Sequence, residues 1–213
     1  MSKTQMSENE FILKKNKISR HLMILTDNIM ILPLIAQEFQ IEHDQLIFGS
    51  FFNEDRNDFQ ITQDLKNVAN SISLGKLVVL VQEDQLFEPL YDLLNQNYSE
   101  YSGQYFTRIS FGPTRKITPI SLDSRIIVMM DKTNAYTTLS PAILNRFEKQ
   151  LLTAQDFIKT KMGLKILEII EDAFQKIESF SEIKKDKLIL CYNQETIPSL
   201  VVKLEQGPIK TII

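Results

Sequence analysis

One arginine in this sequence is placed where it could act on a phosphate or another anion. Arg146 follows an apolar run, 126–130, that has the composition of a buried strand. Ser140 can cap a short helix that begins at Pro141, so Arg146 would be held near the end of that helix. A guanidinium fixed in this way suits recognition of an anionic group outside its own core. The alternative is an ordinary surface arginine that is solvated or paired with Glu148.

A phosphate-binding loop is missing from the place where a nucleotide-binding α/β sheet would carry it. Such a loop needs glycines whose N–H groups wrap phosphate, a lysine, and a Ser or Thr for Mg²⁺. After the first apolar run, 21–25, the chain instead reads Thr26-Asp27-Asn28, and Asp27 would repel a phosphate. The sequence therefore predicts that no phosphate binds at this position.

The acids of a hydrolytic site are also displaced. ATP hydrolysis at the end of a strand requires one acid that holds Mg²⁺ and another that orients water. The most strand-like run, 77–81, ends in Val81-Gln82, and Glu83 and Asp84 follow one and two positions later. These two residues are either a displaced catalytic pair or two solvated acids in a loop, and the solvated pair is the interpretation that we expect.

Composition excludes several other classes of site. The 213 residues carry 24 basic and 27 acidic side chains, so no overall basic field attracts nucleic acid. One cysteine, Cys191, excludes an intrachain disulfide and a cysteine-based metal cluster, and His21 and His43 lie far apart without ligand spacing. The polar start lacks a signal peptide, and no apolar run approaches the length of a membrane span. We therefore expect a cytoplasmic protein that binds no metal and no nucleic acid.

The apolar pattern alternates between strands and helices. Four runs have strand composition, namely 21–25, 45–50, 77–81 and 125–130. Helical spacing covers 29–39 (or from about Leu32, because of Pro33), 61–74 with Gly75 as C-cap, 86–98 and 153–180. A hairpin is predicted around Gly112-Pro113, and 188–192 fits either a strand or the last turn of a helix. This alternation predicts an α/β fold, a three-layer sandwich with a parallel sheet.

Five segments, in this order along the chain, resemble the degenerate AAA+ ATPase modules of the mysterin family. The members of this family are giant AAA+ RING-type E3 ubiquitin ligases. The segments are 46–52, 75–80, 86–98, 141–149 and 191–201. The resemblance implies a degenerate AAA+ core over 20–152, with the hairpin as an insertion at about 104–120. It also implies a helical lid subdomain over 153–213, which we expect to be truncated. The polar composition of residues 1–19 separately predicts a flexible leader.

The same resemblance gives roles to single residues. Val81 and Gln82 would occupy the two acidic positions of the Walker B strand, and Asp131 would lie near the sensor position, where such modules usually carry a polar residue, often Asn. Arg146, preceded by Asn145, matches the Asn-Arg-Phe arginine that in many AAA+ modules reaches across to a neighbour's γ-phosphate. Asp131 and Asn145 are the weaker candidates for contact with a nucleotide.

The implied function is that of a structural AAA+ module that does not hydrolyse ATP and donates Arg146 in trans. ATP and Mg²⁺ would bind in neighbouring modules of a larger ring and not in this chain. The parent protein would have ATPase and ubiquitin-protein transferase activity, but this sequence has no Cys/His cluster that could form a RING. The chain would be a fragment or a short stand-alone relative. The alternatives are a stand-alone nucleotide hydrolase with an unrecognised site and an α/β module that binds protein partners.

Overall fold

The described part of the chain contains eight strands, five of which form one parallel sheet. The strands are β1 (His21–Thr26), β2 (Leu46–Phe48), β3 (Leu77–Val81), β4 (Ser99–Tyr101), β5 (Gln104–Phe111), β6 (Thr114–Ile120), β7 (Arg125–Asp131) and β8 (Phe147–Leu151). The parallel sheet has the order β2-β3-β7-β1-β8. The computed structural model describes residues 20–27, 29–50, 52, 57–181, 184–190 and 192–205. The predicted leader over 1–19 and Cys191 lie outside these residues.

Eight α-helices are present in the described residues. They are α1 (Leu32–Glu38), α2 (Asp58–Ser73), α3 (Tyr91–Leu94), α4 (Lys132–Thr138), α5 (Pro141–Leu144), α6 (Lys161–Ser181), α7 (Lys185–Leu188) and α8 (Thr196–Glu205). Short 3-10 turns occur at Ile29–Ile31, His43–Gln45 and Ala154–Phe157. Because Pro33 lies in the first turn of α1, the start at Leu32 is confirmed. Gly75 follows α2 with φ of +75°, a conformation that favours glycine.

The central sheet is buried on both faces, which confirms the three-layer α/β arrangement. Along β1, Met23 and Leu25 pack into a core that contains the buried side of α2, whereas Leu22 and Ile24 pack on the opposite side with Ile35 of α1. Since alternate residues of a strand point to opposite faces, a strand covered on both sides must be apolar throughout. All six residues of β1 are buried.

Four strands were predicted for this sheet, and that number is wrong because β8 is a fifth. This strand, Phe147-Glu148-Lys149-Gln150-Leu151, lacks a continuous apolar run. It pairs only with β1 at one edge of the sheet, so most of its side chains face solvent. Only Phe147 is buried, and it anchors the start of the strand.

The segment predicted as one helix over 86–98 is helical only in α3. Before it, Phe87 and Tyr91 donate backbone hydrogen bonds to the carbonyls three residues earlier, in successive tight turns. Pro89 has no N–H to donate, and Leu86, Phe87 and Leu90 are almost completely buried. Burial on several sides thus replaces the single apolar face of a regular helix.

The predicted hairpin is confirmed and is part of a three-stranded antiparallel sheet. Strands β5 and β6 pair from Tyr105–Ile120 to Phe111–Thr114, and the short strand β4 adds to β5. Exposed residues dominate β4, which explains why the apolar pattern did not predict it. The sheet contacts α2 through β6 and α3 through β5.

A helical segment follows the parallel sheet, as predicted, and two carboxylates hold it together. Helices α6 and α8 share a small core of Leu167, Ile197 and Val201. Glu195 is buried and accepts a hydrogen bond from the Ala154 N–H, which joins α8 to the turn after β8. Glu205 accepts hydrogen bonds from the N–H groups just before α6, and its bond with the Thr160 hydroxyl lowers the pKa of Glu205.

The segment 188–192 was predicted as either a strand or the last turn of a helix. Helix α7 ends at Leu188, so the helical alternative holds at this residue.

A buried histidine joins α3 to the sheet. His21 is 2% exposed, its Nε2 lies 3.1 Å from the Leu93 carbonyl oxygen, and its Nδ1 accepts a hydrogen bond from the Ile126 N–H at 3.3 Å. Burial lowers the pKa of His21 from 6.5 to about 4, and the positive charge of Arg125 acts in the same direction, while the bond to Leu93 opposes it. The folded chain therefore favours the neutral imidazole.

We expect this histidine to make the stability depend on pH. Because the pKa of His21 is lower in the folded state, its contribution is fully present above about pH 6.5 and is lost as the pH falls toward 4. Between pH 7 and pH 5 the free energy of unfolding should fall by about 2 kcal/mol from this group alone. Denaturant unfolding of wild type and His21→Gln at both pH values measures the difference. A His43→Gln control should keep the wild-type dependence, and an equal dependence in His21→Gln would contradict the expectation.

Candidate functional site

The carboxyl ends of the parallel strands are where a nucleotide would bind in an α/β sheet. Three residues lie at these carboxyl ends: Asp27 directly follows β1, Gln82 directly follows β3, and Asp131 is the last residue of β7. Thr26 is aligned with Asp131 in the sheet. The Asp131 carboxylate accepts a hydrogen bond from the Asn134 N–H at 2.8 Å and so caps α4. Its observed contact is therefore that of an N-cap, which stabilises the start of a helix.

Backbone contact occupies the space between the ends of β2 and β3. A Cβ added to Gly49 would lie 2.1 Å from the Gln82 carbonyl oxygen, so the two chain segments touch directly. Gln82 has φ of +54°, and its N–H donates to the Met129 carbonyl at 2.8 Å. The chain therefore turns sharply at the position that the sequence aligned with the second Walker B acid.

The displaced acids are not both solvated. Glu83 is 7% exposed, so the expectation of two solvated acids is wrong for this residue. Its Oε1 accepts a hydrogen bond from the Gln85 N–H at 3.2 Å, which places the carboxylate in the turn that leads to α3. Asp84 is half-buried. Among the described residues, no cluster of three or more His, Cys, Asp or Glu side chains could hold a metal ion.

Arg146 lies at the amino ends of the parallel strands, on the side of the sheet opposite to their carboxyl ends. It immediately precedes Phe147, the first residue of β8, which is aligned with His21 at the start of β1. Asp131 is aligned with Thr26 at the other end of β1. From its first to its last residue β1 spans about 17 Å, so the length of a strand separates Asp131 from Arg146. The structure thus keeps Arg146 and Asn145 together and separates both from Asp131.

The Arg146 side chain is stacked on an aromatic ring. Its Cζ lies 3.9 Å from the centroid of the Tyr91 ring in α3, and the side chain is half-buried. Of the residues that the structure describes, none accepts a hydrogen bond from this guanidinium or forms an ion pair with it, Glu148 included. Stacking uses the face of the guanidinium, whereas its N–H donors lie in its plane. The donors therefore remain available for an anion.

Two other cations hold the turn that carries Arg146. Ser140 caps α5 and Pro141 occupies its first turn, as predicted, but the helix ends at Leu144 and Arg146 follows it in a turn. The Leu144 carbonyl accepts a hydrogen bond from Lys149 Nζ at 2.8 Å. The exposed Asn145 has its carbonyl bound to Arg20 Nη1 at 3.2 Å.

Sequence reasoning missed the residues that surround Arg146. Tyr91, Arg20 and Lys149 come from three separate parts of the chain, and no local pattern connects them. A signal existed only for Tyr91, which is polar at its tip and lies within a run of buried leucines.

Within the described residues, no helix has the length and apolar character needed to cross a membrane.

Comparison with known proteins gives the family. The family described as RNF213 AAA domain matches residues 13–158, which is more than half of the chain. The E3 ubiquitin-protein ligase RNF213 of Mus musculus is 30% identical over 172 residues, covering 80% of this chain and 3% of the mouse protein. The Homo sapiens protein of the same name is 29% identical over 206 residues, covering 89% of this chain and 4% of its own length.

One solved structure, a DNA polymerase III gamma subunit-related protein from Thermotoga maritima, aligns with 92% of this chain and 70% of its own. Its identity is 13% and its TM-score 0.37, which is too low to support a conclusion. The two RNF213 proteins are far longer than this chain, which spans 3% to 4% of their length. The predicted resemblance to mysterin-type AAA+ modules is nevertheless confirmed, because the match extends over most of the sheet and its helices. The chain belongs to the RNF213 AAA domain family.

Proposed function

We propose that this chain is a non-hydrolysing AAA module that donates Arg146 to a nucleotide bound by a neighbouring module. The observation that carries the proposal is the position of Arg146. It lies at the amino edge of the sheet, stacked on Tyr91, and no described residue takes up its N–H donors. A planar guanidinium with available donors suits bidentate binding of phosphate oxygens. Arg146 lies far from the carboxyl ends of the module's own strands, where a nucleotide would bind, and this distance favours an anion held by another module.

The state of those strand ends supports the non-hydrolysing part of the proposal. Asp27 follows β1, where a phosphate-binding loop would begin, and Val81 and Gln82 supply no acid for Mg²⁺. The carboxylates of Glu83 and Asp131 are both engaged in hydrogen bonds that shape the chain after β3 and β7. Catalysis of phosphoryl transfer depends on positioned metal ions and a positioned nucleophile. In the part of the chain that the structure describes, no group of three or more His, Cys, Asp or Glu side chains could hold such an ion.

The proposal places the chain within a larger RNF213-like protein that hydrolyses ATP and transfers ubiquitin. The core would span 20–152 and the helical lid 153–213, with adjacent AAA modules and other proteins as partners in the cytoplasm. ATP and Mg²⁺ would be held by those neighbouring modules. This sequence has one cysteine and two histidines, so the transferase chemistry would lie in other parts of the parent protein.

Equilibrium titration of the purified chain with labelled ATP tests the non-hydrolysing assignment. We expect no saturable binding up to about 1 mM nucleotide. A dissociation constant above this concentration corresponds to a binding free energy weaker than about −4 kcal/mol. Addition of Mg²⁺ should change nothing, and turnover should not exceed that of an Arg146→Ala control. Micromolar, Mg²⁺-dependent binding, or turnover that Glu83→Gln abolishes, would instead favour a stand-alone hydrolase.

A further inference from the structure

We infer that Tyr91 is the positioning residue for Arg146, an inference that rests on the proposed function. The Tyr91 ring lies against one face of the guanidinium, with Cζ 3.9 Å from the ring centroid. This contact restricts the orientation of a long side chain that otherwise populates many rotamers. The edge of the guanidinium that carries the N–H donors is left uncovered by the ring. Tyr91 thus selects an orientation suited to an anion outside the module.

The ring is about half exposed, so Tyr91 is not a member of the hydrophobic core. Its exposed fraction is 52%, whereas Leu90, Leu93 and Leu94, which flank it in sequence, are all at most 1% exposed. A leucine at the position of Tyr91 would contribute a similar apolar surface but no π face for a cation. The aromatic ring is therefore required for the contact with Arg146 and not for burial.

The helix that carries Tyr91 is held from two directions. His21 hydrogen-bonds the Leu93 carbonyl from the sheet, and Arg108 of β5 forms an ion pair with Asp92 at 2.8 Å. The two residues that follow Tyr91 in α3 are therefore fixed, and this limits the movement of the backbone that carries the ring against Arg146. A rigid support reduces the entropy that the arginine loses when it binds a phosphate.

The test compares Tyr91→Phe, Tyr91→Leu and Arg146→Ala in the intact ATPase assembly that contains this chain, using single-turnover hydrolysis of ATP. We expect Tyr91→Leu to slow the Arg146-dependent phase roughly tenfold, and Tyr91→Phe to stay within about twofold of wild type, because either aromatic ring supports the cation. Tyr101→Leu replaces an exposed tyrosine of β4 and should have no effect. Thermal unfolding should show equal stability of the three tyrosine variants.

The outcomes separate the two claims. If Arg146→Ala slows the phase and Tyr91→Leu does not, the inference about Tyr91 is wrong while the proposed function stands. An Arg146→Ala variant without effect would contradict the proposed function itself. A measurement that needs no variant is the NMR signal of the Arg146 Nε–H in the wild-type chain. Restricted motion and a ring-current shift, compared with the exposed Arg115, support the inference, and motion equal to that of Arg115 overturns it.

Discussion

The Arg146→Ala variant of the intact assembly is expected to slow one phase of ATP hydrolysis by roughly 10³-fold or more. An arginine that contacts the transferring phosphoryl group stabilises charge that develops in the transition state, so its loss affects the chemical step far more than binding. The affinity for ATP should therefore change much less than the rate. Single-turnover hydrolysis of labelled ATP separates the affected phase from sites that do not receive Arg146.

Two further variants test the chemistry behind this expectation. Arg146→Lys keeps the charge but loses the planar fork, so its rate should lie between those of wild type and Arg146→Ala. Arg115→Ala removes an exposed arginine of β6 and serves as the matched control for the loss of one positive charge. If Arg115→Ala and Arg146→Ala slow hydrolysis equally, the effect is a general one of charge and the proposed role is wrong.

The Phe147→Ala variant should lose about 3–5 kcal/mol of the free energy of unfolding. Phe147 is 1% exposed and is the buried anchor of β8, with its ring 5.9 Å from that of Phe87. Truncation removes buried apolar surface and leaves a cavity where the edge strand meets the turns before α3. Denaturant unfolding at pH 7 measures the loss.

Phe180→Ala is the matched control, since it makes the same chemical change at a side chain that is 95% exposed in α6. Its free energy of unfolding should stay within about 0.5 kcal/mol of wild type. A comparable loss in the two variants would show that the edge strand β8 is not anchored as the structure has it. The comparison matters for the site because Phe147 fixes the backbone directly after Arg146.

The buried strands could be predicted from the sequence because burial on both faces leaves a continuous apolar run. β3 and β7 are of this kind, and their predicted bounds agree with the structure to within one residue. β8 could not be predicted in the same way, since a strand at the sheet edge has polar side chains in solvent. The helix α4 was missed for a related reason: it has Ala135 as its buried residue, and its start depends on the Asp131 cap.

The candidate site was predictable only in its central residue. Arg146 was recognisable from its place in the chain after a capped helix, and the structure keeps it at the surface. Its contact with Tyr91 depends on how the segment before α3 folds, and that segment was predicted as a long regular helix. Glu83 was missed as a buried residue because it was predicted to be a solvated acid in a loop, whereas its carboxylate accepts a hydrogen bond from the Gln85 N–H in the turn after β3.

A structure of the intact assembly with a non-hydrolysable ATP analogue and Mg²⁺ tests the central claim most directly. The measured quantity is the distance from the Arg146 guanidinium nitrogens to the nearest γ-phosphate oxygen. The proposal predicts a hydrogen-bond distance of about 2.7–2.9 Å to a nucleotide held by the next module. It also predicts that no nucleotide lies at the carboxyl ends of β1 and β3 of this module. A nucleotide bound at those strand ends, with Arg146 far from every phosphate, would contradict the account.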